Sequence, residues 1–175
     1  MSEKNEKERN IPIISVVGKS GSGKTTFLEK LIARLKEKGY SVGTVKHDVH
    51  GFDIDKPGKD TWRHKQAGAD MVLISSPEKL ALIKDVNRDH RLDELRQHYI
   101  DDVDIVLTEG YKSGDKPKIE VFRPEIHDSE LCDEGDDLVT TVINEENEGN
   151  EEDIFSPEEI DRVASLLEKK YISSS

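Results

Sequence analysis

Apolar residues in this chain come in short runs divided by polar punctuation, and the period of each run predicts an element. Residues 11–17 (IPIISVV) form a mostly β-branched run suited to a strand buried on both faces. Over 24–38, Phe27, Leu28, Leu31, Ile32 and Leu35 share one face of a helix, and Lys38-Gly39 supplies a basic last turn and a glycine stop. Residues 41–46 (SVGTVK) read as a second strand. The polar stretch 47–59, rich in Gly, Asp and His, predicts a long loop. Pro57-Gly58-Lys59 is turn chemistry leading to a short helix over 60–67 with Asp60 as its N-cap. Strands follow over 70–75 and 79–84. Leu92, Leu95 and Tyr99 mark a helix, and strands are expected over 103–108, 118–122 and 138–143. Ser156-Pro157-Glu158-Glu159 opens the last helix as a capping box with proline at its first position. Ile160, Val163, Leu166 and Leu167 form its buried face. Strands alternating with helical patterns predict an α/β fold with a mostly parallel central sheet flanked by helices.

Composition narrows the function classes. The 175 residues suit one domain, expected over 11–172, with a frayed tail at 1–10 and an acidic loop at 144–153 inside it. Thirty-eight acidic against 26 basic residues give a net charge of −12. A surface of that sign disfavours nucleic acid and anionic membranes, and would be steered toward a basic patch on a protein partner. Cys132 is the one cysteine, so a disulfide framework and a Cys-based zinc site are excluded. MSEKNEKERN has no apolar signal-peptide core, and no segment approaches the roughly 18 apolar residues of a membrane span. The expected location is the cytoplasm.

The chemistry lies between the first strand and the first helix. Gly18-Lys19-Ser20-Gly21-Ser22-Gly23-Lys24-Thr25 fits G-x-x-x-x-G-K-[ST], with Thr26 next. Glycines let such a loop curl until its backbone N–H groups converge on phosphate oxygens. The following helix adds the positive end of its dipole. Lys24 would be the point charge for the β- and γ-phosphates, and the Thr25 hydroxyl a Mg²⁺ ligand. These residues therefore predict a P-loop NTPase fold binding a nucleotide with Mg²⁺. A P-loop also needs an acid at the end of a neighbouring strand. Glu109 ends the 103–108 strand, whereas Asp104 lies near its start, the wrong end.

The P-loop, KHDVHGFDIDKPGKDTWRHKQAGAD (46–70), LTEGYK (107–112) and PKIEVFR (117–123) together resemble the molybdopterin-guanine dinucleotide biosynthesis protein B family. The resemblance covers about residues 13–123. It implies a P-loop GTPase of the nitrogenase-iron-protein and maturation-GTPase class, binding GTP and Mg²⁺ with slow hydrolysis at most. It implies an adaptor for the molybdenum cofactor guanylyltransferase, with other molybdenum cofactor proteins and molybdopterin or its guanine dinucleotide as further partners, and a homodimer. Asp48 follows the second strand where related NTPases place an acid near the γ-phosphate. It could orient water or hold a metal-bound one, or simply fix its turn through an Asx bond. Some dimeric relatives carry a lysine at the position of Lys19 that reaches the partner's nucleotide, although Ser20 replaces the glycine that usually follows.

Other residues leave alternatives open. Asp53 and Asp55 could face the same cleft. His47 and His50 could bind zinc or nickel, contact a phosphate or pterin, or be solvated. Lys46 and Arg63 could contact an anion. Glu120, inside an apolar strand, must either pair with a cation such as Arg123 or face a cleft. No N-K-x-D tetrad reads guanine here; Asn144, just after the last strand, is the nearest substitute by position. Three further functions compete: a small-molecule P-loop kinase, for which Arg88, Arg91 and Arg96 could be read as a lid although Leu92 and Leu95 make that stretch an ordinary helix; a nickel or zinc metallochaperone GTPase; and a non-enzymatic interaction module in which the nucleotide only orders the 47–60 loop.

Overall fold

The structure, a computed structural model, describes residues 10–112, 114–145 and 154–173. The expected tail up to residue 9 and the acidic residues 146–153 lie outside the described residues. The elements are β1 (Ile13–Val17), α1 (Lys24–Glu37), β2 (Val42–Lys46), α2 (Asp60–Gln66), β3 (Met71–Ser75), β4 (Leu80–Lys84), α3 (Leu92–Tyr99), β5 (Ile105–Glu109), β6 (Lys118–Phe122), β7 (Leu138–Ile143) and α4 (Pro157–Leu167). A π-helical turn, Glu168–Ile172, extends α4. The chain divides into two compact units, one running to His47 and resuming at Tyr99, the other spanning Asp48–His98.

The first unit holds a five-stranded sheet, ordered β2-β5-β1-β6-β7, in which every pairing is parallel. β1 is central, hydrogen-bonded on both sides, and all five of its residues are buried. A strand covered on both faces has no use for alternation, which is why IISVV reads as an unbroken run. Its one polar residue, Ser15, is satisfied: Thr108 Oγ1 donates to Ser15 Oγ at 3.1 Å. Phe27, Leu31 and Leu35 of α1 and Val163 and Leu167 of α4 are fully buried in the same core. Phe27 meets Phe155 edge-on, with ring centroids 5.4 Å apart. Burying one such side chain contributes about 1.5–3 kcal/mol.

The ends of the elements follow local chemistry. Ser156 caps α4, accepting from Glu159 N at 3.2 Å, with Pro157 at the first helical position as expected. Asp60 is a correction. Lys59 is the N-cap of α2, without a side-chain cap, and Asp60 stands inside the first turn, where its charge suits the helix dipole. β5 begins two residues later than expected; Asp104, just before it, donates its N–H to the Ser41 carbonyl at 2.8 Å and accepts on Oδ2 from Ser41 N at 2.8 Å and Ser41 Oγ at 2.7 Å.

In the second unit, β3 and β4 form an antiparallel ribbon of their own instead of joining the parallel sheet. Opposed residues of the ribbon share a face, so Met71, Leu73, Leu80 and Leu82 project together, and all four are exposed. Val72, on the other face, is buried.

Candidate functional site

Parallel pairing lines up the chemistry. Val16 of β1 is opposite Glu109 of β5, so both strands finish at one edge of the sheet, and residues 18–23 cross from β1 to α1 there. Gly18 has φ +148°, and a Cβ on it would stand 2.3 Å from the Val121 carbonyl oxygen of β6. Gly23, the N-cap of α1, has φ +94° and offers no side-chain cap. The first-turn N–H groups of α1 therefore face the loop without a side-chain acceptor, the arrangement an anion completes.

The Lys24 ammonium folds back over its own loop and donates to the Lys19 carbonyl at 2.9 Å. Burial pulls its pKa below the ordinary lysine value; the Glu109 carboxylate opposes this, and Lys112 and Lys46 add to it. Thr25 Oγ1 donates to Glu109, 3.2 and 3.4 Å from its two oxygens. A hydroxyl beside a carboxylate is a hard-oxygen pair of the kind Mg²⁺ prefers, since that ion keeps several waters and needs few protein ligands. Thr25 and Glu109 thus fit a Mg²⁺ ion, and Asp104, at the opposite end of β5, does not share their edge.

Other expected residues fall differently. Asn144 is buried, and its amide donates to the Ser22 carbonyl at 2.9 Å. Its amide nitrogen lies 2.7 Å from where a Cβ on Gly23 would stand. It braces the loop from behind, and this placement offers no exposed edge to a base. Glu120 is buried too, and of the two alternatives it is paired: it takes the backbone N–H groups of Leu131 and Cys132. Burial and the adjacent Glu120 carboxylate push the Cys132 thiol up to about 12, away from the range in which a thiolate forms readily. Lys19 donates to Ser129 of its own chain, at 2.7 Å to the carbonyl and 3.1 Å to the hydroxyl.

His47 stacks on Tyr111, with ring centroids 4.9 Å apart, and its backbone N donates to the Glu109 carbonyl at 2.9 Å. No group of three or more His, Cys, Asp or Glu side chains able to hold a metal ion occurs among the described residues, so the nickel or zinc reading gains no ligand set. In the second unit, Asp48 makes the Asx bond foreseen as one alternative, accepting from His50 N at 2.9 Å. Asp55 accepts from Lys56 N at 2.7 Å. Asp53 and Arg63 are exposed. Arg88 is bidentate on Glu94, at 2.9 and 2.8 Å, and Leu92 is buried, so this stretch is an anchored helix start rather than a lid poised over phosphates.

A sequence profile of the molybdopterin guanine dinucleotide synthesis protein B (MobB) family matches residues 13–145. The chain belongs to the MobB family. The molybdopterin-guanine dinucleotide biosynthesis adapter protein of Haemophilus influenzae is 41% identical over 117 residues, 66% of each chain. That of Escherichia coli is 37% identical over 116 residues, 65% of this chain and 66% of its own length. The match thus spans just under two thirds of these relatives. Solved MobB structures agree along nearly their whole length. Bacillus subtilis MobB superposes with a TM-score of 0.67 at 29% identity, covering 89% of this chain and 98% of its own. A second MobB crystal structure gives 0.65 at 32% identity, covering 90% and 97%. The MobB likeness agrees with the P-loop NTPase fold: a parallel sheet flanked by helices, with the Gly18–Thr25 loop at its C-terminal edge.

Proposed function

We propose that this MobB-family chain is a GTP-binding adaptor in molybdenum cofactor biosynthesis, acting where molybdopterin becomes its guanine dinucleotide. The observation that carries the proposal is the junction of the Gly18–Thr25 loop with Glu109, on a chain whose relatives are named adapter proteins of that step. The loop backbone from Gly18 to Gly23, with Lys24, Thr25 and Thr26, would hold the phosphates. Thr25 and Glu109 would hold Mg²⁺, which supplies charge neutralisation of the phosphate oxygens when bound. Hydrolysis is proposed to be slow, as the family resemblance implies. The guanylyltransferase, acting in the cytoplasm, is the proposed partner.

Calorimetric titration with GTP and ATP, with and without Mg²⁺, tests this reading. Mg²⁺-dependent binding of GTP is expected, with ATP at least about tenfold weaker, or about 1.4 kcal/mol. Equal or tighter ATP binding would overturn the guanine assignment and bring the kinase reading forward.

The same proposal includes a homodimer, supported by the exposed apolar face of the β3–β4 ribbon. Met71, Leu73 and Leu80 are 54, 53 and 66% exposed, although all three are large and apolar. Sedimentation of the wild type as a dimer, and of Leu73→Glu/Leu80→Lys as a folded monomer, is the expected result. A dimer unaffected by the double substitution would place the interface elsewhere.

A further inference from the structure

Glu120 is a carboxylate in the middle of an apolar strand, 1% exposed, and the phosphate chemistry above does not use it. An apolar residue of similar volume would fill the same space without the cost of desolvating a charge. What a carboxylate adds is two acceptors on one rigid fork. Both are used: Leu131 N and Cys132 N donate to its two oxygens, the second at 2.8 Å.

Those two amides end a strap, residues 123–132, that leaves β6 and doubles back. Its near end is a turn in which Ile126 N and His127 N both donate to the Arg123 carbonyl. Between this turn and the Glu120 fork, three contacts reach the phosphate loop. Ser129 takes the Lys19 ammonium on its carbonyl and hydroxyl oxygens. His127 Nε2 lies 3.0 Å from the Ser20 carbonyl oxygen. The Ile126 methyl lies 3.2 Å from where a Cβ on Gly21 would stand. The loop residues touched, 19–21, are those whose backbone has no helix or strand ladder to hold it; locally, Ser22 N and the Lys24 ammonium both donate to the Lys19 carbonyl, at 3.3 and 2.9 Å. The register adds a reason for Glu120 in particular: it is opposite Val17, the last residue before the loop.

We propose that Glu120 is a positioning residue for the phosphate loop: by clamping the far end of the 123–132 strap, it fixes Lys19 and Ser20 from outside and sets the curl of the loop backbone. On this account Lys19 is an anchor within its own chain, not a group presented to a partner's ligand. The affinity arm of the test rests on the nucleotide reading above; the exchange arm does not.

The experiment compares wild type, Glu120→Gln, Lys19→Met and the double variant. Hydrogen exchange is followed residue by residue without nucleotide, and Mg·GTP affinity is then measured by calorimetry. Gln keeps the shape but replaces one acceptor with a donor that confronts a backbone N–H. Exchange at Leu131 and Cys132 should rise at least about tenfold in Glu120→Gln, and exchange at residues 20–22 should rise with it. Mg·GTP affinity should fall about tenfold, and the double variant should bind no worse than Glu120→Gln, because the Lys19 contact is already lost. Wild-type protection at 20–22 in Glu120→Gln, or fully additive losses, would overturn the proposal. Should Glu120→Gln fail to fold, Lys19→Met/His127→Ala cuts the strap from the loop with the core intact. Faster exchange at 20–22 with an unchanged melting temperature would then support it, and unchanged exchange would sink it. Absence of GTP binding by the wild type would count against the nucleotide reading alone, leaving the exchange arm to decide this one.

Discussion

Lys24→Ala is expected to weaken Mg·GTP binding at least a hundredfold, about 2.7 kcal/mol, while leaving the fold in place. The side chain already bends over the loop toward the Lys19 carbonyl, so its ammonium stands where the phosphates would be cradled. Burial lowers its pKa against the opposing pull of Glu109, a mark of a cation held partly dry beside its counter-charge. A charge-assisted hydrogen bond contributes about 1.5–3 kcal/mol, and one ammonium can serve two phosphate oxygens. Alanine at the first position of α1 costs the helix nothing, since it is the best helix former. Calorimetry beside a thermal melt separates the two effects. Near-wild-type affinity in a folded variant would mean that the loop backbone alone holds the anion, and would remove Lys24 from the site.

Gly18→Ala is expected to cost the fold itself, by at least about 3 kcal/mol. Two causes add. The residue sits at φ +148°, which side chains rarely adopt, and the new Cβ would stand 2.3 Å from the Val121 carbonyl oxygen and 2.8 Å from Ser22 Oγ. A serine rotamer can yield. A carbonyl of β6 cannot, because β6 is paired with β1 on one side and β7 on the other. For a domain of this size a loss of that order lowers the melting temperature by roughly 10 °C. An alanine variant that melted with the wild type would show that this edge of the sheet is far more compliant than parallel pairing allows.

The glycine-rich loop between β1 and α1, the parallel sheet and the place of Glu109 at the end of β5 were legible because each has a local signature: a fixed glycine spacing, an unbroken β-branched run, an acid at a strand end. The ribbon of β3 and β4 was readable in principle. Only residues 76–79 separate the two strands, too few for a parallel crossover, and Ser76 Oγ accepts from Glu78 N and Lys79 N within the turn. Alternation of strands and helices along the chain hid that shorter-range constraint. The strap was not readable. Its residues have no period, and what holds it is a carboxylate accepting from main-chain amides, which any residue types but proline at 131 and 132 would supply. Asn144 stands out by position, but its place after an apolar strand says nothing about which way the amide turns, and here it turns onto the Ser22 carbonyl.

β1 is hydrogen-bonded to β5 and β6 and buried along its whole length, and α1 lies on the core with Phe27, Leu31 and Leu35 fully enclosed. On the proposed reading the middle of the Gly18–Thr25 loop answers to the strap, but its two roots are in the part of such a sheet that opens only when the whole unit opens. Ligand capacity and cooperative unfolding therefore share one temperature limit. A lesion deep under α1, far from any phosphate, would extinguish binding abruptly on warming rather than erode it by degrees.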